Sequence, residues 1–287
     1  MDEAIALGRD GRLPVNISHI KALGVDVHGQ APAIIARIEA AQRAGQRVTA
    51  DQYPWSASGT SLAAALVPRW AQDGGRAALL RRFDDAGVAQ RLRSEMADNL
   101  RRRGGAESLL ITEGPHRGQR LSQVASGADP VAAAIAVIRV SDASVASFNQ
   151  TEEDIAAFMR RPWVMTSSDA SGGHPRAFGS FARKYAVYVR ERNVLSLRDF
   201  IARSTALTAD TFGIADRGRL RPGTFADIVL FDPRSFAARS TYEEPTLLAT
   251  GVRAVLVNGI VAVENGAPTG AAAGRGLTRT PPAGTCR

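Results

Sequence analysis

The chain has 287 residues, 45% hydrophobic and 22% charged, with 27 glycines and 14 prolines; these ordinary globular proportions exclude collagen-like and disordered classes and set a prior of about two structural units. The net charge is +8, but Lys21 and Lys184 are the only lysines, the arginines are scattered and aromatics are 6%, which excludes the basic stripe with stacking platforms that a nucleic-acid partner needs. A single cysteine, Cys286, excludes an internal disulfide and a cysteine-rich zinc site and points to a reducing, cytoplasmic compartment; no apolar run approaches the ~20 residues of a membrane helix, and the acidic start is unlike a signal peptide.

In chain order, Asp2 to Arg9 has a short helical pattern and Val15 to His19 reads as a strand. Ala31 to Ala44 places Ile34, Ile35, Ile38 and Ala41 near the helical period, and Arg47 to Asp51 is the next strand. Helix alternating with strand at this length predicts a parallel sheet with crossovers. Residues 56–128 break the rhythm and read as an insertion or lid, with a charged helix over Leu79 to Arg103 and a short strand at Leu109 to Thr112. From Asp129-Pro130, an N-cap followed by proline, the rhythm resumes. A helix runs to about Arg139, a strand covers Ser144 to Phe148, Thr151 caps another helix, and Trp163 to Ser168 is a strand. A helix from Leu197 to Ser204 follows. Beyond Gly213 the pattern becomes a small β unit with a hairpin at Asn258-Gly259, and residues 271–287 read as a flexible tail.

In a parallel barrel or open sheet, reactive groups sit where strands end. Two polar ends stand out, at His19 and at Asp169. A neutral imidazole and a carboxylate suit a divalent metal, zinc in particular, and the carboxylate can instead take a proton from a bound water. The bland alternatives are a hydrogen-bonded His19 under a loop and Asp169 as a helix N-cap. In Ser168-Asp169-Ala170-Ser171-Gly172-Gly173-His174-Pro175-Arg176 the glycines free the backbone to approach a ligand, and Arg176 offers a fork that matches a carboxylate; the alternative is a surface loop with His174 and Arg176 solvated. Asp51-Gln52-Tyr53-Pro54-Trp55 either lines the same mouth or anchors aromatics in the core.

These residues resemble those of the D-aminoacylase (N-acyl-D-amino-acid deacylase) branch of the amidohydrolase superfamily. The resemblance rests on Ile17-Ser18-His19-Ile20-Lys21, Asp51-Gln52-Tyr53-Pro54-Trp55, Ser168-Asp169, His174-Pro175-Arg176 and the structural run from Gly218 to Val229. It covers the whole chain but only the C-terminal part of a family member. It implies the C-terminal half of a metal-dependent hydrolase TIM-type barrel over residues 1–215, with four strands near residues 15, 47, 144 and 163, followed by part of a small β-sandwich over 216–270. It implies His19 and Asp169 as zinc ligands, Asp169 also as catalytic acid/base, and Arg176, with His174 and Tyr53 beside it, as the substrate-binding residues that hold the carboxylate of an N-acyl-D-amino acid. The family's His-x-His pair has no counterpart here, so the implied zinc site is incomplete and the implied partner, besides a small-molecule substrate, is a complementing N-terminal half or a second copy. A cyclic amidase of the dihydroorotase or hydantoinase type and an inactive fragment are the alternatives.

Overall fold

The computed structural model describes residues 1–277. Its strands, in chain order, are β1 (Val15–Ile17), β2 (Val48–Gln52), β3 (Ala57–Ser61), β4 (Leu109–Ile111), β5 (Ser144–Phe148), β6 (Val164–Thr166), β7 (Ile228–Phe231), β8 (Val252–Val257), β9 (Ile260–Glu264) and β10 (Ala267–Pro268). They form three separate sheets.

The first sheet is parallel, in the order β1-β2-β6. Helix Ala31–Arg43 makes the crossover from β1 to β2 and buries Ile35 and Ile38 with Ile20, Val48, Phe158 and Val164. This is the burial expected of apolar residues at helical spacing packed over a sheet. The helix entry is pinned: Asp154 accepts from Gly29 N, just ahead of the N-cap, at 2.8 Å and from Ala31 N, the first helical amide, at 3.0 Å. Asp154 is itself held by Thr151, the N-cap of helix Glu152–Met159, as its S/T-x-x-acid pattern predicts.

The strand near residue 144 does not join this sheet, which corrects the expectation of four barrel strands. β5 pairs antiparallel with both β3 and β4, in the order β3-β5-β4. A short apolar run announces a strand but not its partner or direction, and β3, a polar Ala-Ser-Gly-Thr-Ser strand, carries no sequence signal of its own. The unit expected over 56–128 therefore continues through Phe148. It has its own core of Leu62, Leu66, Leu92, Met96, Leu109, Ile111, Ile135 and Ile138. The helix expected over Leu79 to Arg103 is two, Gly75–Arg82 and Ala89–Arg102, separated by a turn in which Asp85 Oδ1 accepts from Gly87 N at 2.9 Å.

The β unit is a single antiparallel sheet, β10-β9-β8-β7; no second sheet faces it among the described residues. Asn258 and Gly259 have φ of 52° and 83°, the left-handed pair of a type I′ hairpin. Arg217 pairs with Asp227 and donates to Asn258 Oδ1 at 2.5 Å, so the Gly218–Val229 run is wired to the hairpin. Of the expected tail, 271–277 lacks regular structure but is anchored by Asn258 Nδ2 donating to Ala273 O at 2.7 Å; the remainder, with Cys286, lies outside the described residues. No helix among the described residues is long and apolar enough to cross a membrane.

Candidate active site

The site forms at the C-terminal ends of the parallel strands. His19, two residues past β1, and Asp169, three past β6, both adopt left-handed backbone, with φ of 42° and 45°. Such conformations in non-glycine residues cost energy and cluster at functional positions. Asp51, within β2, sustains the first: its Oδ1 accepts from His19 N at 2.9 Å and its Oδ2 from Asn16 Nδ2 at 2.9 Å. Lys21 curls back so that Nζ donates to His19 Nδ1 at 2.6 Å. Burial lowers the Lys21 ammonium to about 8, opposed by the attraction of Asp169. Tyr53 is buried at the centre, its ring 5.3 Å from Lys21 Nζ and 4.7 Å from the Arg176 guanidinium. Its hydroxyl accepts from Gln150 Nε2 at 3.2 Å, and burial pushes it up to about 12, so it remains a neutral phenol.

Arg176 opens the helix Arg176–Arg183 and is only 2% exposed. Its Nη2 donates to Gly59 O at 3.3 Å and Ser171 Oγ at 3.0 Å. Nη1 lies 2.7 Å from Asp169 Oδ2, an ion pair without the alignment of a directed hydrogen bond, and Nε has no acceptor among the described residues. A buried guanidinium with donors unspent is poised for one more planar acceptor. Gly59 makes the approach possible: a Cβ there would fall 3.0 Å from Ser171 Oγ and 3.1 Å from Arg176 Nη2.

His174 is buried, not solvated. Its Nε2 donates to Ala57 O at 3.1 Å, and its Nδ1 accepts from Arg176 N at 3.1 Å. Both ring nitrogens are thus used by the protein, so His174 locks the turn rather than facing a ligand. Burial, then the charge of Arg176, depress its imidazole to about 3.

The expected residues His19, Tyr53, Asp169, His174 and Arg176 are thus brought into one neighbourhood. Asp169 caps no helix; the helix after it, Arg176–Arg183, has Pro175 as its N-cap and no side-chain cap. Lys21, Asp51, Gln150 and Ser171 complete the site. The first two lie inside the recognised motifs, and their two-residue offset from His19 and Tyr53 is the signal that could have found them; Gln150 carries none. The donors do not compose a zinc site. Among the described residues no group of three or more histidine, cysteine or acidic side chains could hold a metal. His19 Nδ1 is engaged by Lys21 and Asp169 by Arg176, where a structural or catalytic zinc needs three or four protein ligands. An open recess lies at the opposite end of the strands, among Arg9, Arg12, Pro14 and Arg47, away from this chemistry.

The sequence profile of the amidohydrolase family matches residues 5–263. The chain belongs to the amidohydrolase family. It is 33% identical to the N-acyl-D-glutamate deacylase of Alcaligenes xylosoxydans xylosoxydans over 94% of its own length and 49% of that protein, and 31% identical to the D-aminoacylase of the same organism over 98% and 52%. Among solved structures it is similar to the N-acyl-D-glutamate deacylase of Bordetella bronchiseptica complexed with zinc and a phosphonate inhibitor, with a TM-score of 0.72 and 31% identity over 93% of this chain and 51% of that one. It is likewise similar to D-aminoacylase, described with a binuclear metal centre, with a TM-score of 0.77 and 30% identity over 97% and 52%. This amidohydrolase chain therefore spans about half the length of the relatives it matches.

Proposed function

We propose that the chain supplies one half of the active centre of an N-acyl-D-amino-acid deacylase, residues 1–215 being the C-terminal half of a TIM-type barrel with its inserted unit, residues 216–270 part of its companion β domain, and the whole cytoplasmic. The observation that carries the reading is Arg176: buried, with Nε unspent, and seated on Tyr53 beside Asp169. Its role is to bind the substrate carboxylate, with His174 holding the turn and Tyr53 the floor. Asp169 is the base that takes a proton from the attacking water and returns it to the leaving nitrogen, because an amine anion is a poor leaving group. The ion pair between the two supports a coupling: a carboxylate that competes for the guanidinium releases Asp169 for proton transfer. His19 and Asp169 would be this half's contribution to a zinc site; a complementing half must bring the other ligands. The same ion pair favours a second reading for the chain by itself, that of an inactive half, since the Asp169 carboxylate is held by one arm of the guanidinium.

The test is reconstitution. The purified chain, with zinc, is assayed for amine release from N-acetyl-D-glutamate and N-acetyl-D-alanine, alone and after co-folding with the N-terminal half of the Alcaligenes D-aminoacylase. The expected result is no turnover alone and chelator-sensitive turnover in the complex. A complex that assembles yet releases no amine overturns the proposal, and robust turnover by the chain alone overturns the half-site reading.

A further inference from the structure

The ring of Tyr242 belongs to the connection between β7 and β8, residues 232–251, yet it stands in the wall of the candidate site. Its centroid lies 5.2 Å from His174, 6.0 Å from Trp55 and 5.0 Å from Phe148, edge-on or tilted in each case; Trp55 closes the remaining side of His174 at 5.9 Å and 90°. The connection is tied down on both sides of Tyr242. Ser240 Oγ donates to Pro175 O at 3.0 Å, within the His-Pro-Arg turn itself. Arg117 Nη2, from the inserted unit, donates to Glu243 O at 2.7 Å. Gly179 provides the clearance, since a Cβ there would fall 2.3 Å from Ser240 Oγ. A segment of the β unit is thus fastened to both other units at the point where it presents one aromatic ring.

The hydrogen bonds of His174 admit one tautomer. Ala57 O accepts, so the proton sits on Nε2; Arg176 N donates, so Nδ1 carries the lone pair. A second proton on Nδ1 would face the Arg176 N–H and break the turn. Among the described residues the titratable or charged groups facing the imidazole are Arg176, from its own turn, and Tyr242, from the connection; β3 presents Ala57 O, and the Trp55 ring stands edge-on. We propose that Tyr242 is a positioning residue for Arg176: its ring completes the aromatic enclosure that keeps His174 neutral in the Nε2–H form, and through His174 Nδ1 it sets the backbone from which the guanidinium reaches the substrate carboxylate. The last step rests on the reading of Arg176 given above.

The test uses the full chain with ring-nitrogen-labelled histidine, of which there are four. In the native chain the His174 signals should show a single Nε2–H tautomer that does not protonate as the pH falls through the ordinary imidazole range near 6.5. In Tyr242→Ala they should mix tautomers and titrate within that range. Tyr242→Phe, which keeps the ring, should restore the native signals. Should Tyr242→Ala not fold, Tyr242→Leu, which keeps most of the volume without the ring, carries the same comparison. A folded Ala or Leu variant with unchanged His174 signals overturns the proposal. In the same samples N-acetyl-D-glutamate, but not its amide, should perturb the Arg176 guanidinium signal, about tenfold more weakly in the Leu variant, the worth of one displaced charge-assisted hydrogen bond. With the tautomer comparison as expected, the enclosure stands even if that ligand has no effect in the native chain; such silence overturns the carboxylate reading of Arg176 alone.

Discussion

Arg176 and Asp169 constrain each other, and their replacements should separate by which kinetic constant moves. In the reconstituted complex Arg176→Ala should weaken an N-acyl-D-amino acid by roughly 1.5–3 kcal/mol, the usual worth of a hydrogen bond to a charged group, and leave the corresponding amide almost unchanged. Equal losses on both substrates would show that Arg176 does not read the carboxylate. Asp169→Asn keeps the shape but cannot carry a proton, so turnover should fall about 10²–10⁴-fold with binding little changed; steady-state kinetics beside a thermal melt decides. His174 makes a prediction of different sign. It titrates at about 3 in the folded chain against 6.5 when free, so between those values the unfolded chain holds the extra proton. Its contribution to stability is complete above about pH 6.5 and is lost as the pH falls toward 3. Urea melts across that window should show His174→Asn with a shallower acid slope than the native chain.

At the scale of elements, Lys184 opens a π-helical segment, Lys184–Glu191, in which Arg192 N donates to Val187 O at 2.9 Å. The residue is 0% exposed, and its Nζ donates to Thr166 Oγ1 at 2.9 Å at the end of β6. Burial and then Arg203 lower the amine to about 7 from 10.5. The unfolded chain therefore binds the extra proton from about pH 7 to 10.5, and stability should rise across that span. Lys184→Met, similar in volume, should stabilise the chain at neutral pH by roughly 1–4 kcal/mol, as apolar replacement of buried charge often does, and flatten the alkaline rise; a lower melting temperature would refute this. The elements readable in the sequence were those with local chemistry: the Thr151 cap, Asp129 before Pro130, the Asn258-Gly259 hairpin. The clustering of His19, Tyr53, Asp169 and Arg176 was readable from strand ends and motifs. What was not readable was long-range: the pairing of β5 with a polar β3, the Tyr242 wall from a connection in another unit, and the spending of Arg176 on Asp169. None of these leaves a trace in spacing, because each is decided by which distant surface the segment meets.

For the whole molecule, β1 and β6 are edges of the parallel sheet among the described residues, and Leu7 and Leu13 beside β1 are about two-thirds exposed, at 66% and 64%. Unpaired strands next to open apolar surface favour self-association. Sedimentation should therefore show concentration-dependent oligomers of the chain alone, replaced by a one-to-one species when the complementing half is added; a strictly monomeric chain would mean these edges are covered some other way. The arrangement of the lysines has a practical consequence of its own. With Lys184 sealed in the core and Lys21 the one other lysine of the sequence, an amine-directed reagent meets one lysine side chain, Lys21, besides the terminal amine. Acylation or cross-linking at low reagent ratio thus becomes a footprint of the site. Protection of Lys21, read by mass spectrometry, would report occupancy by any candidate substrate or partner half without an assay for turnover.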